Sequence, residues 1–270
     1  MIDTQLKSRF KELHLPAFRE TYKDEADTAR AESLGYEQYL LAVAEREVEA
    51  RRMKRIERYL RESKLPCEKT FDNFELKRLG IKLEMHLGSL RDGSFLARHE
   101  NVLAFGNPGS GKTHLLCALG HELINAGYRV LFRSCNILVQ EMLYAKRELR
   151  LPKLFRTLSR FDAIIIDDIG YVEQNQQEME VLFTLLADRY ERGSIMLTSN
   201  LPFSKWERIF KDPMTTAAAI DRLVHHSIIL ELNLPSYRLE TSHQKKMTRQ
   251  KEDENYVGCG GAPLGPLNRP

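Results

Sequence analysis

The sequence contains no long hydrophobic run: nowhere in its 270 residues do 18 apolar residues follow one another. A helix that crosses a bilayer needs such a run, so no membrane span is predicted. The first residues, Met1-Ile2-Asp3-Thr4, also lack the basic and then apolar pattern of an export signal. We therefore expect a cytoplasmic protein with no membrane partner.

Cysteine is scarce and scattered, with four residues at Cys67, Cys117, Cys135 and Cys259. No Cys-x-x-Cys pair occurs, which argues against a disulfide framework and against a zinc knuckle. Reduced and mostly buried thiols are predicted instead.

A large excess of charge is also absent. The 41 Lys and Arg residues nearly balance the 38 Asp and Glu residues, which gives a formal net charge of +3. A total this small does not identify nucleic acid as a partner. Any affinity for nucleic acid must come from local clusters of basic side chains.

Helix-breaking residues are rare in the first 65 positions, where Pro16 and Gly35 are the only candidates. Apolar residues recur there at helical spacing, which predicts a small all-helical N-terminal domain over residues 1–65. The linker is placed near Pro66, because proline disfavours helix in the residue before it. At the other end, the charged and then Gly- and Pro-rich residues 241–270 predict a disordered tail.

Between these ends, over residues 66–240, short apolar runs alternate with helical segments. This alternation is typical of a parallel sheet with crossover helices, and near-continuous apolar strands indicate a sheet that is covered on both faces. The fold class is therefore predicted as α/β, a five-stranded parallel sheet with flanking helices that follows the helical N-terminal domain. The predicted strands are 101–105, 129–133, 163–166, 194–198 and 227–230.

A phosphate-binding motif, G-x-x-x-x-G-K-[ST], lies between the first predicted strand and an apolar helix at 114–126. Glycines let the backbone wrap closely around an anion, and the N-terminus of the following helix attracts phosphate. Lys112 is predicted to reach the β- and γ-phosphates, and Thr113 to ligate Mg²⁺. A chance glycine-rich turn would not require this strand and helix, so nucleotide binding is predicted. The residues of this nucleotide loop are Gly106, Asn107, Pro108, Gly109, Ser110, Gly111, Lys112 and Thr113.

Two carboxylates, Asp167 and Asp168, follow the predicted strand 163–166. Ligands of α/β proteins bind at the carboxyl ends of the strands, which is where these side chains are expected. Asp167 is predicted to hold Mg²⁺, and Asp168 to polarise the attacking water. Taken without the upstream loop, such a pair would be interpreted as a solvated turn or a helix cap.

Three further polar features lie downstream. Asn200 follows the strand 194–198 and is predicted to orient water against the γ-phosphate, although an Asn before Pro202 is also typical of a turn. Arg222 is either a surface ion-pair residue or, if the protein assembles, an arginine that stabilises transition-state charge in a neighbouring subunit. The pair His225-His226 has no third ligand nearby in sequence, which predicts packing or a surface position rather than metal binding.

At this point several segments together resemble the IstB-like ATPases. They are 106–113, 164–171, 188–194, 198–206 and 221–226, and the Ser-Asn-Leu-Pro-Phe run within 198–206 is far more specific than the nucleotide loop. These ATPases are helper proteins of bacterial insertion-sequence transposition, related to the DnaC helicase loader within the AAA+ class. The resemblance spans about residues 1–240.

The resemblance implies an AAA+ P-loop ATPase that uses ATP and Mg²⁺, forms homo-oligomers on double-stranded DNA with nucleotide at the subunit interfaces, and recruits and stimulates a transposase. It implies that Asp167 and Asp168 serve Mg²⁺ and hydrolysis, that Asn200 senses the γ-phosphate, and that Arg222 acts in trans. Many AAA+ proteins carry Glu where this chain has Asp168, which implies slow or conditional hydrolysis. No C-terminal helical domain with a second sensor arginine is recognised.

Two basic stretches are candidates for largely sequence-independent contacts with DNA phosphates. Residues 46–64 hold eight basic side chains against four acidic ones, and a second stretch lies between the second and third predicted strands. The alternative for each stretch is a solvated helix face, because charged faces are common on helices. The candidate contact residues are Arg51, Arg52, Arg55, Lys146, Arg147, Arg150, Lys153 and Arg156.

Other functions remain open on the sequence alone. A replicative helicase loader would differ mainly in its partner, and a P-loop kinase would need a lid that excludes water from its acceptor. A switch that binds ATP and barely hydrolyses it is also possible. A GTP-specific switch is disfavoured because no Asn-Lys-x-Asp motif is found.

Overall fold

The computed structural model describes residues 2–170, 175–207 and 213–237, so the predicted tail at 241–270 lies outside the described residues. The N-terminal region consists of three helices, α1 (Ile2–Glu12), α2 (Pro16–Ala31) and α3 (Tyr36–Ser63). Pro16 occupies the start of α2 and Gly35 is the N-cap residue of α3, as expected from the two breakers. The helical N-terminal region is confirmed, whereas the domain boundary at residue 65 stays a prediction.

One buried acid joins two of these helices. The Glu47 carboxylate, on α3, is 4% exposed and accepts hydrogen bonds from the backbone N–H groups of Ala17 at 2.8 Å and Phe18 at 3.3 Å. It also pairs with Arg51 Nε at 2.8 Å. The N-terminus of α2 has no side-chain cap of its own, so Glu47 supplies the acceptor that its free N–H groups need.

We expect Glu47→Gln to lower the free energy of unfolding by about 1–2 kcal/mol near neutral pH, because hydrogen bonds to a charged acceptor are stronger than those to an amide. Burial raises the pKa of Glu47, but Arg51 and the two backbone N–H groups outweigh it, so the pKa lies below 4.5. The stabilisation is therefore complete above pH 4.5 and is lost as the pH falls through the lowered value.

Urea unfolding at about pH 7 and about pH 4 measures this difference. The matched control is Glu49→Gln, because Glu49 is an exposed acid of the same helix whose ion pair with Arg52 spans 3.7 Å. We expect the control to change stability by less than about 0.5 kcal/mol. Equal effects of the two variants would show that Glu47 has no capping role.

The remainder of the described chain forms a single parallel sheet with helices on both faces. Its strands are β1 (Asn101–Gly106), β2 (Val130–Ser134), β3 (Ala163–Ile169), β4 (Ser194–Ser199) and β5 (Ser227–Leu232), in the spatial order β2-β3-β4-β1-β5. The helices are α4 (Ile81–Arg91), α5 (Ser94–Ala97), α6 (Lys112–Asn125), α7 (Cys135–Arg147), α8 (Leu151–Leu158), α9 (Gln176–Arg189) and α10 (Pro213–Val224). Single 3-10 turns lie at Leu76–Arg78 and Phe203–Lys205.

This architecture confirms the predicted α/β class and all five strands. The strands extend one to three residues past their predicted ends, because the sheet ladder continues through polar residues that the apolar runs do not include. One hydrophobic cluster, on the α7–α9–α10 side, includes Met142 and Trp206. The other, on the α4–α6 side, takes in Ile56 of α3, so the last part of α3 packs against the sheet domain.

Burial separates the cysteines of the described chain. Cys117 and Cys135 are buried as predicted, whereas Cys67 is exposed. No helix among the described residues combines the length and the apolar character that a bilayer crossing requires.

Candidate nucleotide-binding site

The nucleotide loop leaves the carboxyl end of β1 and enters α6. Its glycines take backbone conformations that side chains resist: Gly106 has a φ of 151° and Gly111 a φ of 97°. A Cβ at Gly106 would overlap the carbonyl oxygen of Leu232, and one at Gly111 would press on the Phe74 ring. Because the loop has no side chains at these points, its backbone can approach a phosphate closely.

Lys112 begins α6 and is 6% exposed. Its Nζ donates to the carbonyl oxygens of Gly106 and Asn107, both at 2.9 Å, and to Asn200 Oδ1 at 2.6 Å. The ammonium group thus lies inside the loop and connects β1 to the end of β4. A buried cation at the N-terminus of a helix suits the β- and γ-phosphates of a nucleotide.

A β-bulge brings the two carboxylates to the loop. The register between β3 and β4 shifts between Ile166 and Ile169, so that Asp167 and Asp168 together oppose Thr198. Asp167 Oδ1 accepts from the hydroxyl groups of Thr113 and Thr198, both at 2.7 Å. The backbone N–H of Asp168, which has a φ of 68°, donates to Thr198 Oγ1 at 2.7 Å.

Asn200 completes this connected set of polar groups. Its Nδ2 donates to Asp168 Oδ1 at 3.0 Å, while its Oδ1 accepts from Lys112. The predicted residues of the loop and of strands β3 and β4 are thereby brought together. Thr198 was not predicted to have a role, because it looks like an ordinary strand residue until the sheet order places it beside the bulge.

The residues present fit a magnesium nucleotide. Thr113 and Asp167 offer adjacent hard oxygen ligands of the kind Mg²⁺ prefers. The Ser110 hydroxyl is 2% exposed and has no hydrogen-bond partner among the described residues, so the loop contains a buried donor that an anion could satisfy. Pro108 and Gly109 line the same cleft, which has a volume of about 280 Å³.

The far wall of this cleft comes from segments that the sequence did not indicate. Phe74 packs edge-on against His114, with ring centroids 5.1 Å apart. Arg78 lies over the ring of Tyr237 at 5.2 Å, and the Tyr237 backbone N–H donates to the carbonyl oxygen of Gly109 at 3.0 Å. The segment 74–78 and Tyr237 are far apart in the chain and form no local motif, so only the fold could reveal their contact with the loop. An aromatic wall of this kind suits a nucleoside base.

Arg222 is not brought to this site. It lies near the end of α10, just before β5, where its Nη1 donates to the carbonyl oxygen of Ala218 at 3.0 Å and its guanidinium lies 4.9 Å from the Phe183 ring centroid. Arg222 therefore lies near the start of β5, where Ser227 pairs with Asn101 at the start of β1. The nucleotide loop follows the opposite end of β1. That end lies five residues, or about 17 Å, away.

The candidate DNA-binding residues fall into two groups. Arg51 pairs with Glu47, Arg52 with Glu49, and Lys146 with Glu180 at 2.7 Å. The five other side chains are exposed on α3, at the end of α7, and in or just before α8: Arg55, Arg147, Arg150, Lys153 and Arg156. The second group is better placed for phosphate contacts, because its members form no ion pair within the part of the chain that the structure describes.

A nucleotide loop follows β1 at the carboxyl edge of a five-stranded parallel sheet, and the carboxylates come from β3, with β4 between the two strands. This arrangement defines an ATP-binding protein of the AAA+ P-loop class. The sequence profile of IstB-like ATP binding proteins matches residues 8–245. The chain belongs to this IstB-like family, as the resemblance predicted.

Named relatives agree with this assignment. An insertion-sequence ATP-binding protein of Sinorhizobium fredii is 41% identical over 248 residues, covering 92% of this chain and 83% of the relative. The ATP-binding protein of insertion sequence IS21 from Pseudomonas aeruginosa is 37% identical, covering 94% and 97%.

Solved structures support the fold. DnaI superposes with a TM-score of 0.53 at 17% identity, covering 63% of this chain and 96% of DnaI. The DnaC helicase loader superposes with a TM-score of 0.50 at 18% identity, covering 62% and 98%.

Proposed function

We propose that this protein is a Mg²⁺-dependent ATPase that assembles on double-stranded DNA and assists the transposase of an insertion sequence. The observation that carries the proposal is the connected polar set Lys112, Asn200, Asp168, Thr198 and Asp167, in a chain whose relatives are named as insertion-sequence ATP-binding proteins. Such a set supplies the phosphate-binding, metal-binding and water-activating groups that ATP hydrolysis needs.

In the proposed hydrolysis, Lys112 and the loop N–H groups bind the phosphates. Thr113 and Asp167 would hold Mg²⁺, which would supply charge stabilisation for the transferred phosphoryl group. Asp168 accepts the proton of the attacking water. Asn200 contacts both Lys112 and Asp168, so it can position the water-activating carboxylate relative to the γ-phosphate. The short Asp side chain supports slow turnover, because its reach toward water is less than that of Glu.

The nucleotide is proposed to lie between subunits, with Arg222 of one copy completing the site of the next. Arg222 lies near the sheet end opposite its own loop, which favours a role in trans over one in cis. An arginine supplied by a neighbour stabilises charge on the transferred phosphoryl group, which couples assembly to hydrolysis.

Duplex DNA is proposed to bind along the exposed cations of α8 and of residues 147–150, which precede it. Cations without acid partners release counterions from phosphates and bind without reading sequence. Assembly then links weak contacts of several copies into tight binding. A transposase is favoured over a replicative helicase as the partner because the named relatives are insertion-sequence proteins.

The test measures binding of duplexes of unrelated sequence to the full chain, with a slowly hydrolysed ATP analogue, at several salt concentrations. We expect large assemblies by light scattering and a salt slope that falls by about one for each phosphate contact removed. The double variant Arg150→Glu and Arg156→Glu should weaken duplex binding by about tenfold or more.

Arg30→Glu is the matched control, because Arg30 is an exposed arginine of α2 that is paired with Asp27 at 2.6 Å and belongs to neither basic stretch. We expect this control to leave duplex affinity nearly unchanged. A chain that stays monomeric at high concentration with the analogue and DNA would contradict the proposed assembly. Pull-down with transposase and with a hexameric helicase compares the two partner classes.

A further inference from the structure

Two turns meet at the edge of the sheet opposite the nucleotide loop. The turn between α9 and β4 carries Glu191, and the turn between α10 and β5 carries His225 and His226. One ligand atom of each of these three side chains lies within 4.8 Å of those of the other two. Glu191 is 34 positions before His225 in the sequence, so the histidine pair gains a third potential ligand only through the fold.

Buried groups hold both turns in place. Asn101 is a buried residue, 8% exposed. Its side chain accepts a hydrogen bond from the backbone N–H of Ile195 at 2.8 Å and donates one to the carbonyl oxygen of Leu223 at 3.0 Å. The Asn101 backbone N–H donates to the carbonyl oxygen of His226 at 2.7 Å. One residue of β1 therefore fixes the start of β4 relative to the end of α10.

The Glu191 turn is anchored in the same way. The buried Arg189 guanidinium donates to the carbonyl oxygens of Phe161 at 2.8 Å and Ser194 at 3.1 Å. The backbone N–H groups of Arg192 and Gly193 both donate to the Arg189 carbonyl oxygen, at 3.0 and 3.1 Å. Glu191 itself has a φ of 57°, the left-handed conformation of a tight turn. Its backbone position is thus set by groups that do not depend on its side chain.

The two imidazole rings are adjacent, and one of them has a hydrogen-bond partner for its Nδ1 atom. The Tyr190 hydroxyl is hydrogen-bonded to His225 Nδ1 at 3.1 Å, which leaves Nε2 of that ring available. Histidines that bind metals usually engage their other nitrogen in this manner, which fixes the tautomer. The ring centroids of His225 and His226 are 4.1 Å apart.

We infer that Glu191, His225 and His226 form a binding site for a divalent transition-metal ion of the zinc class. Two imidazoles and a carboxylate are ligands that Zn²⁺, Co²⁺ and Ni²⁺ accept, whereas Mg²⁺ prefers oxygen ligands alone. Ligand atoms around zinc are about 3.4 Å apart, so the exposed side chains close around an ion with movements of about 1 Å. Water completes the coordination shell.

This site would join the two turns beside Arg222. Arg222 lines the same small cavity of about 10 Å³ as Glu191 and His226. An ion bound there fixes the end of α10 relative to the end of α9, and so restrains the backbone from which Arg222 extends. The proposed metal site is inferred from the positions of Glu191, His225 and His226, and it does not depend on the proposed ATPase function.

The test uses the full chain without a histidine tag and without nucleotide. Calorimetric titration with Zn²⁺ and absorption with Co²⁺ measure binding. We expect one ion at this site, with affinity weakened more than about tenfold in His226→Ala and in Glu191→Gln. His86→Ala is the matched control, since His86 is an exposed histidine on α4, and it should bind as the parent does.

Far-UV circular dichroism and thermal unfolding without metal show whether each variant folds like the parent. Zn²⁺ should also raise the unfolding temperature of the parent and of His86→Ala, but not that of the two site variants, because an ion that binds the folded state stabilises it. The inference is overturned if the parent binds no Zn²⁺. It is equally overturned if folded His226→Ala and Glu191→Gln keep the parent's affinity.

Discussion

We expect Lys112→Ala to lower ATP affinity by more than about tenfold and to reduce the proposed ATP hydrolysis by about two to three orders of magnitude. The substitution removes the only side-chain ammonium that lies inside the nucleotide loop within the described chain, where it contacts Gly106, Asn107 and Asn200. Phosphate charge then has no buried cation to meet. Because the proposed assembly depends on bound ATP, ATP-dependent retention of duplex DNA should be lost as well. Nucleotide titration, phosphate release and light scattering measure the three effects.

Lys205→Ala is the matched control, because Lys205 is an exposed lysine in the 3-10 turn that follows β4. We expect it to leave ATP binding intact. Mixing Lys112→Ala with Arg222→Ala should restore part of the hydrolysis that each lacks alone, since a copy with intact Arg222 can then serve a neighbour with an intact loop. Assembly and duplex retention that survive Lys112→Ala would disprove the role of ATP as the link between subunits.

Asp168→Asn should separate ATP binding from ATP hydrolysis. The contact between the Asp168 backbone N–H and Thr198 does not involve the substituted atoms, and the amide oxygen can still accept from Asn200. The loop and Lys112 are therefore preserved, and ATP affinity should stay close to that of the parent. The amide is a far weaker base than a carboxylate, so hydrolysis should fall by about two to three orders of magnitude.

The measurable result is an ATP-bound assembly that persists on duplex DNA while phosphate release is nearly abolished. Asp188→Asn serves as the control, because Asp188 lies on α9 and pairs with Arg192 at 3.8 Å. Turnover in that variant should match the parent. If Asp168→Asn left both turnover and assembly unchanged, the group that activates water would have to be sought elsewhere.

Local pattern was sufficient to predict much of the fold and the centre of the site. A nucleotide loop needs a strand before it and a helix after it, and parallel strands deliver their carboxyl ends to one edge, so Asp167, Asp168 and Asn200 could be expected near Lys112. Arg222 was expected to act on a neighbour, and its place near the opposite end of the sheet is compatible with that prediction.

What could not be predicted depends on contacts between distant segments. Thr198 becomes part of the site only because β3 lies beside β4 and bulges there. Phe74 and Tyr237 are ordinary aromatic residues until the chain folds them over the loop. Charge counting also treats exposed cations with and without an acid partner alike, so Arg51, which pairs with Glu47, could not be distinguished from Arg150.

The bulge at Asp167 and Asp168 has a consequence for how this site can vary. Successive side chains of a regular strand alternate between the two faces of a sheet. In a regular strand, the side chains of Asp167 and Asp168 would therefore lie on opposite faces of the sheet. The extra residue instead lets a dipeptide furnish both the ion-holding and the proton-accepting carboxylate. Deletions that straighten β3 should therefore be far less tolerable than substitutions that keep its length.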